Sequence, residues 1–339
     1  MRDHEVCNTT LSFTMETLEG RRLLSVNWGT VPRLIHQDQA VTDFPKITGK
    51  GQTVAVIDTG VAYNHPALGG GWGRKVIGGW DFVNNNGNPT DPSAHGTLVA
   101  GIIAGNRFQF GGRTYQGIAP GAKIISLRVE DTAGNDSPTR IEAALKWVIA
   151  NRNRYNITAV NMSLGDGYYT KKVSRQPYGD ELATLDRMGV FIAAASGNDG
   201  LRNPAGVEYP AADPHVMAVG SVTPWGRISS FTSRGPDLNL LAPGENVPGP
   251  IYDPTNNTNI YVAGSGTSFA APFAVGAAVL MRQVNSRLTN AQITSILEKS
   301  GTPVKDSGGT GLVFSRINID AALKMASATR VKRHAVARV

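Results

Sequence analysis

Cysteine is almost absent from this chain of 339 residues, which contains only one, Cys7. A single thiol cannot form an intramolecular disulfide. The sequence also contains no C-x-x-C pair and no cluster of histidines, so a structural zinc site is not expected. The cysteine content therefore says nothing about the redox state of the protein's compartment.

Long apolar runs are missing as well, because no segment reaches the roughly 20 apolar residues that a membrane-spanning helix needs. Residues 1–25 also lack the apolar core of an ordinary secretory signal. The sequence therefore predicts no membrane span. One short stretch, Leu18–Ser25 (LEGRRLLS), resembles a motif near the N-termini of presumed exported proteins, with Gly20 where that motif has proline. We interpret residues 1–25 as a targeting-like segment.

Charged residues are few, at 17% of the chain, and the formal net charge is +7. Four of the positive charges lie in the C-terminal residues 326–339, which contain Arg330, Lys332, Arg333 and Arg338 and no acidic residue. A basic tail is compatible with nucleic-acid binding, but a solvated chain end is the more common case. We therefore expect no nucleic-acid partner and treat residues 326–339 as a basic tail.

What the chain does contain is an alternation of strand-like and helix-like segments, together with 39 glycines and 19 prolines that are typical of tight loops around a sheet. This alternation predicts one α/β domain over residues 26–325, with a mainly parallel sheet covered on both faces. The predicted strands are Gln52–Ile57, Lys123–Val129, Ile157–Ser163, Val190–Ala195 and Val216–Val222. The predicted helices begin at Ser137-Pro138, at Glu181 and at the Thr289 capping box. The segment Trp72–Pro92 is predicted to be a long surface loop.

The stretch Gly264–Pro272 (GSGTSFAAP) places Ser268 between a glycine-rich approach and the apolar run Phe269–Leu280. That run has the length of a buried core helix, which puts Ser268 in the first turn of the helix. Unpaired N–H groups at a helix N-terminus favour negative charge, so an oxyanion beside Ser268 would find donors there. From this pattern alone, Ser268 is either a helix-capping serine or a nucleophile.

Asp58 and Asn198 each follow a predicted strand, and His95 opens a helical segment. The carboxyl ends of parallel strands share one edge of the sheet, where open α/β sheets bind ligands. A lone aspartate such as Asp58 is also a common capping residue, so it needs corroboration. His65 precedes a proline and a glycine-rich loop, and we interpret it as structural, which leaves His95 as the candidate base.

An acid, a histidine and a serine at one sheet edge supply the three roles of acyl transfer. Ser268 would attack, His95 would accept its proton and Asp58 would orient the imidazole. The Asn198 amide would add a donor for the tetrahedral oxyanion.

Four blocks around these residues resemble the signatures of the subtilisin-like serine peptidases. They are Val56–Gly60 (VIDTG), His95–Thr97 (HGT), Ser196–Asn198 (SGN) and Gly266–Pro272 (GTSFAAP), in the order Asp, His, Ser that the family shows. The resemblance runs from about Trp28 to Met325. It implies a three-layer α/β/α sandwich, a triad of Asp58, His95 and Ser268, and Asn198 in the oxyanion hole.

The same resemblance implies where substrate binds. Ser163, Leu164 and Gly165 correspond to the segment that pairs with extended substrate, and the specificity pocket is bounded by the turn at Gly134 and by the segment around Glu208. Many relatives have a small residue at the position of Glu208. A carboxylate there would favour a basic side chain before the cut. The alternative is that Glu208 points to solvent and the pocket is a broad apolar slot.

Several positions depart from the family pattern. Leu98 stands where a second histidine is usual, and Ala67 stands where many members have an aspartate that binds calcium. A tight metal site is therefore not expected, while Asp237 and Asn239 leave a weak calcium site open. No cofactor is required. The catalytic domain begins almost at once, so either folding needs no pro-domain or the gene start is incomplete.

The resulting expectation is a serine endopeptidase that acts on protein or peptide substrates through an acyl-enzyme on Ser268. The alternative is a catalytically silent peptide-binding scaffold of the same fold, which the intact triad and Asn198 disfavour. We expect a monomer. The motif in residues 1–25 favours export, with an intracellular location as the alternative.

Overall fold

A computed structural model of the chain describes residues 26–174, 176–202 and 205–330. The targeting-like segment 1–25 and residues 331–339 of the basic tail lie outside the described residues. No helix in the described part of the chain has the length and apolar character needed to cross a membrane.

The strands are β1 (Thr53–Asp58), β2 (Val76–Asp81), β3 (Phe108–Phe110), β4 (Arg113–Tyr115), β5 (Lys123–Arg128), β6 (Ile157–Met162), β7 (Asp166–Tyr169), β8 (Phe191–Ala195), β9 (Val207–Tyr209), β10 (Met217–Val222), β11 (Leu240–Pro243), β12 (Val247–Asp253), β13 (Thr258–Gly264), β14 (Thr302–Lys305) and β15 (Val313–Arg316). The helices are α1 (Thr30–Leu34), α2 (Gln37–Asp43), α3 (His95–Ala104), α4 (Pro138–Tyr155), α5 (Gly179–Arg187), α6 (Ala271–Val284), α7 (Asn290–Ser300) and α8 (Ile319–Ala328). Short 3₁₀ helices occupy Pro66–Leu68 and Thr267–Phe269.

A nine-stranded sheet with the order β14-β15-β11-β10-β8-β6-β1-β5-β2 forms the centre of the fold. Its neighbouring strands are parallel except for β14 and β15. Because β1 is paired on both sides and buried throughout, its side chains alternate between two apolar cores. Val54 and Val56 pack with α3 and α6, whereas Ala55 and Ile57 pack with α4 and α5. The predicted three-layer α/β/α sandwich is therefore confirmed.

The parallel register brings the carboxyl ends of the central strands to one edge. Ile57 of β1 lies opposite Met162 of β6, and Met162 lies opposite Ala194 of β8. The residues that follow these strands therefore meet at the same end of the sheet. Two predicted helix starts are also confirmed, since the Ser137 side chain accepts from Arg140 N–H, and Thr289 and Gln292 form a capping box. The helix predicted from Glu181 begins two residues earlier, at Gly179.

The predicted surface loop Trp72–Pro92 is wrong in part, because it contains β2, an edge strand of the central sheet. Its glycines hid the apolar pattern of a strand. They are needed because β2 lies very close to β5: a Cβ at Gly79 would be 2.0 Å from the carbonyl oxygen of Ser126. Close approach of two backbones thus explains a strand that propensity does not predict.

Candidate active site

Asp58 and His95 are joined at the carboxyl edge of the sheet. Asp58 is the last residue of β1 and its side chain is fully buried, while His95 is the first residue of α3 and keeps 28% of its side chain exposed. His95 Nδ1 lies 2.8 Å from Asp58 Oδ1. This contact selects the tautomer in which Nδ1 carries hydrogen, so Nε2 is free to accept a proton.

A network that sequence reasoning missed holds the start of α3 against β1. Asp91 accepts from Thr59 Oγ1 at 2.9 Å and from Thr97 N–H at 2.9 Å, and Thr59 Oγ1 in turn accepts from Gly96 N–H at 2.9 Å. Ala94, immediately before His95, has a left-handed backbone with φ 75°, which is a strained conformation for a residue with a side chain. The partners are distant in sequence, so no local motif signals this network.

The pKa of His95 reflects two opposing effects. Burial is the largest single effect and lowers it, but the nearby negative charges and the hydrogen bond to Asp58 together outweigh burial, and the pKa rises to about 9. The charges of Glu130 and Asp91 act in the same direction as Asp58. Protonated His95 is therefore stabilised in this site, as is required of a base that must hold a proton during the reaction.

Ser268 lies in the 3₁₀ turn Thr267–Phe269 rather than in the first turn of α6, which begins three residues later. Its carbonyl oxygen accepts from Ser163 Oγ at 2.5 Å, and Ser163 Oγ accepts from Asn161 Nδ2 at 2.8 Å. The neighbouring Phe269 ring lies 5.2 Å from the His95 ring. Among the described residues no hydrogen bond joins the Ser268 hydroxyl to His95, a bond that often tightens only with substrate.

Asn198 follows β8 and is oriented by the residue before Ser268. Its Oδ1 accepts from Thr267 N–H at 2.9 Å and from Thr267 Oγ1 at 3.1 Å. With the oxygen occupied in this way, the amide nitrogen points elsewhere, and within the described part of the chain it donates to no other group. The side chain of Asn198 is therefore fixed with its N–H donors free.

Glu208 of β9 lies among the predicted substrate-binding residues. A Cβ at Gly197 would be 2.3 Å from Glu208 Oε1, and a Cβ at Gly165 would be 2.8 Å from Oε2, so the carboxylate occupies space left by two glycines. Burial raises the pKa of Glu208 to about 7, although the Asn198 N–H that donates to it acts in the opposite direction. Glu208 is thus only partly exposed and does not point freely into solvent.

The remaining predicted substrate residues differ in their placement. Ser163 and Leu164 are buried directly after β6, and Leu164 packs in the core formed with α4 and α5. Gly134 lies in an exposed turn after β5, with φ 80° and open space around the position of a Cβ. Asp131 closes this turn by accepting from Asn135 N–H at 2.9 Å. The role of Gly134 in the pocket stays a prediction.

The residues near Ala67 do not fit a tight calcium site. The Ala67 N–H donates to His65 Nδ1 at 3.0 Å, and its carbonyl accepts from Asn106 N–H at 2.8 Å. His65 is buried, as expected for a structural histidine. Calcium requires several oxygen ligands, usually including carboxylates. The described residues contain no group of three or more His, Cys, Asp or Glu side chains arranged to hold a metal.

The sequence leaves a weak calcium site open near Asp237 and Asn239, where the structure shows groups already engaged with other partners. Asn239 Oδ1 already accepts from Ala218 N–H at 3.0 Å. The ammonium group of Lys172 contacts main-chain carbonyls of the neighbouring loop, including Ala211 O at 3.0 Å. A positive charge at this place repels a second cation.

Comparison with known proteins gives one consistent result. A family model described as the Subtilase family matches residues 49–315. Subtilisin E of Bacillus subtilis (strain 168) is 36% identical over 279 residues, covering 81% of this chain and 66% of that protein. Subtilisin of Bacillus pumilus is 35% identical over 279 residues, covering 81% of this chain and 92% of that protein.

Solved structures agree. The crystal structure of a cold adapted subtilisin-like serine proteinase superimposes with a TM-score of 0.66 and 29% identity, covering 80% of this chain and 90% of that one. The four sequence blocks, the three-layer sheet fold and the Asp58–His95 contact lead to the same assignment as these comparisons. The chain belongs to the subtilase family of subtilisin-like serine peptidases.

Proposed function

We propose that this protein is a serine endopeptidase that hydrolyses peptide bonds through an acyl-enzyme on Ser268. The observation that carries the proposal is the 2.8 Å contact between His95 Nδ1 and the fully buried Asp58. Ser268 Oγ bonds to the scissile carbonyl carbon while His95 Nε2 takes its proton. His95 then delivers that proton to the leaving amine as the C–N bond breaks, and water repeats the sequence to release the acid.

Asp58 stays ionised and stabilises the imidazolium that forms on His95. Its position at the end of a buried strand supports this role. The sheet holds the carboxylate in place, so the carboxylate does not have to reorient when the proton moves to His95. The partly exposed face of His95 is the side from which substrate approaches.

Asn198 donates its amide N–H to the oxyanion of the tetrahedral intermediate. The hydrogen bonds from Thr267 to Asn198 Oδ1 support this role, since they hold the amide in a single orientation before substrate binds. Preorganised donors of this kind contribute about 2.7 to 4 kcal/mol to transition-state stabilisation.

Glu208 selects a basic side chain immediately before the cleaved bond. Its carboxylate lies beside Gly165 and Gly197, in space that a side chain at either position would otherwise fill. Lysine or arginine would pack its methylenes along the pocket and keep its cation near Glu208. Ser163, Leu164 and Gly165 pair with the substrate backbone, and the Gly134 turn bounds the pocket.

The proposal extends to the domain organisation, partners and location of the protein. The peptidase domain spans residues 26–325, preceded by the targeting-like segment 1–25 and followed by the basic tail 326–339. The protein acts on protein or peptide substrates as a monomer and is exported. Its chemistry requires no metal, and any weakly bound calcium would affect stability rather than catalysis.

A burst experiment tests the proposed acyl-enzyme. A chromogenic activated ester should give a rapid release of one leaving group per active site, followed by a slower steady state, because its acylation is faster than its deacylation. Ser268→Ala should abolish both phases, whereas Ser265→Ala, three residues earlier in an exposed position, should keep them. Substrate binding without turnover in the folded wild-type protein would favour the silent scaffold.

A further inference from the structure

Lys172 lies between β7 and α5 and points its ammonium group at a loop some forty residues further along the chain. Its Nζ is 3.0 Å from Ala211 O, 3.3 Å from Asp213 O and 3.5 Å from Val216 O. An ammonium has three N–H donors. All three therefore have a main-chain carbonyl of the 211–216 loop as acceptor.

The surroundings of this ammonium are acidic. Asp213 is fully buried, and both its Oδ2 and Asp237 Oδ2 have no hydrogen-bond partner among the described residues. Burial is the largest effect and leaves the pKa of Lys172 below its ordinary value, while the charges of Asp237, Asp213 and Glu298 act in the opposite direction and favour the ammonium. The loop thus combines converging carbonyl oxygens with negative charge, an environment that stabilises one cation.

The loop connects the proposed specificity residue to the central sheet. It runs from Glu208 in β9 to β10, and the Ala212 N–H donates to the carbonyl of Glu208 at 2.9 Å. Three carbonyls that point to one place repel each other unless a cation lies between them. The Lys172 ammonium therefore lies against the loop that follows β9 and Glu208.

We propose that the Lys172 ammonium is the built-in cation of the 211–216 loop and makes a bound metal ion unnecessary there. This is the region near Asp237 and Asn239 where the family resemblance left a weak cation site open. The proposal concerns stability and does not depend on the catalytic roles assigned above.

Removing the ammonium should convert the loop into a site for a free cation. Its ligands would be neutral carbonyl oxygens with carboxylates nearby, a donor set that suits hard cations such as Na⁺, K⁺ or Ca²⁺ rather than softer transition metals. An open cleft of about 340 Å³, lined by Lys172, His215, Val216, Asn239 and Glu298 among others, gives an ion access from solvent.

Thermal unfolding in matched salts tests the proposal. Wild-type protein, Lys172→Met and the control Lys171→Met, which changes the exposed neighbouring lysine, are melted in choline, sodium or potassium chloride at one ionic strength. We expect the wild-type and K171M Tm values to be independent of the salt. K172M should have a lower Tm in choline and regain stability saturably in sodium or potassium, because a ligand that binds only the folded state stabilises it.

Two results would overturn the proposal. One is a K172M Tm that does not depend on which cation is present. The other is a wild-type Tm that rises in potassium or sodium relative to choline, which would mean that a free ion binds despite the lysine. If K172M does not fold, Lys172→Ala is measured in the same salts, and the wild-type comparison decides the question if neither variant folds.

Discussion

The backbone N–H of Asn198 donates to Glu208 Oε1 at 3.3 Å. The residue proposed to stabilise the oxyanion and the residue proposed to select substrate are therefore in direct contact. Glu208 is also flanked by the charges of Asp199 and Asp166, both of which raise its pKa. Substrate preference should consequently respond to pH in the neutral range, where this carboxyl ionises.

The proposed role of Glu208 in substrate selection is tested with matched peptides that have Lys or Phe immediately before the cleaved bond. At low salt and pH 8, Glu208→Gln should lower the Lys to Phe ratio of kcat/KM several-fold, since a partly exposed ion pair is worth about 0.2 to 1 kcal/mol. In the wild type the ratio should rise from pH 6 to pH 8, because the pKa of Glu208 is about 7 and only the ionised form attracts a cation.

The control for this experiment is Glu142→Gln, which removes an exposed carboxylate from α4 and should leave the ratio unchanged. Added salt should weaken the wild-type preference by screening. If E208Q keeps the wild-type Lys to Phe ratio of kcat/KM at low salt, Glu208 does not select the substrate side chain and the pocket is an apolar slot.

The pH profile of kcat/KM tests the environment of His95. Neutral His95 accepts the proton, so activity should rise with pH and reach half of its maximum near the free-enzyme pKa of about 9. Glu130→Gln should move the pH of half-maximal kcat/KM to a lower value, because the Glu130 charge raises the pKa of His95. A half-maximum near the ordinary histidine pKa of about 6.5 in the wild type would mean that the negative charges around His95 do not raise its pKa.

Two variants test whether Asn198 binds the oxyanion, and they should differ in how far they lower kcat. Asn198→Leu should lower kcat by roughly 10² to 10³ fold with little change in KM, since the oxyanion exists only in the transition state. Thr267→Val should lower kcat less, because the backbone N–H of Thr267 still donates to Asn198 Oδ1. A predominantly raised KM in N198L would assign Asn198 to ground-state binding instead.

The effect of a chelator on the Tm tests whether the protein lacks a tight calcium site near Ala67. A tight ion present at 100 times its dissociation constant adds about 2.7 kcal/mol, which for a domain of about 300 residues corresponds to a Tm difference of roughly 4 °C. We expect EDTA at constant ionic strength to lower the Tm by clearly less than this. A fall of that size would reveal a strong site built from other ligands.

The parts of the site that the sequence predicts are those with local signals. Asp58 ends an apolar, β-branched strand, and His95 begins a helix of small and apolar residues. Both positions follow from strand and helix boundaries, and the parallel sheet then brings them to one edge. The Thr289 capping box is predictable for the same reason, because all of its partners lie within three residues.

The parts that the sequence does not predict depend on distant partners. Asp91 gains its role from Thr59 and Thr97, and Lys172 from carbonyls in the 211–216 loop. Nothing near these residues distinguishes them from solvated charges. The hairpin formed by β12 and β13 was likewise not predicted, since its strands are interrupted by proline, glycine and turn residues.

The most direct test of the central claim is covalent labelling of Ser268 with a fluorophosphonate probe, followed by peptide mapping. An assembled triad predicts stoichiometric modification of Ser268 in the folded protein and strongly reduced labelling in His95→Ala, because the serine is activated by its neighbouring base. Labelling of a different residue, or no labelling of protein that is demonstrably folded, would contradict the account.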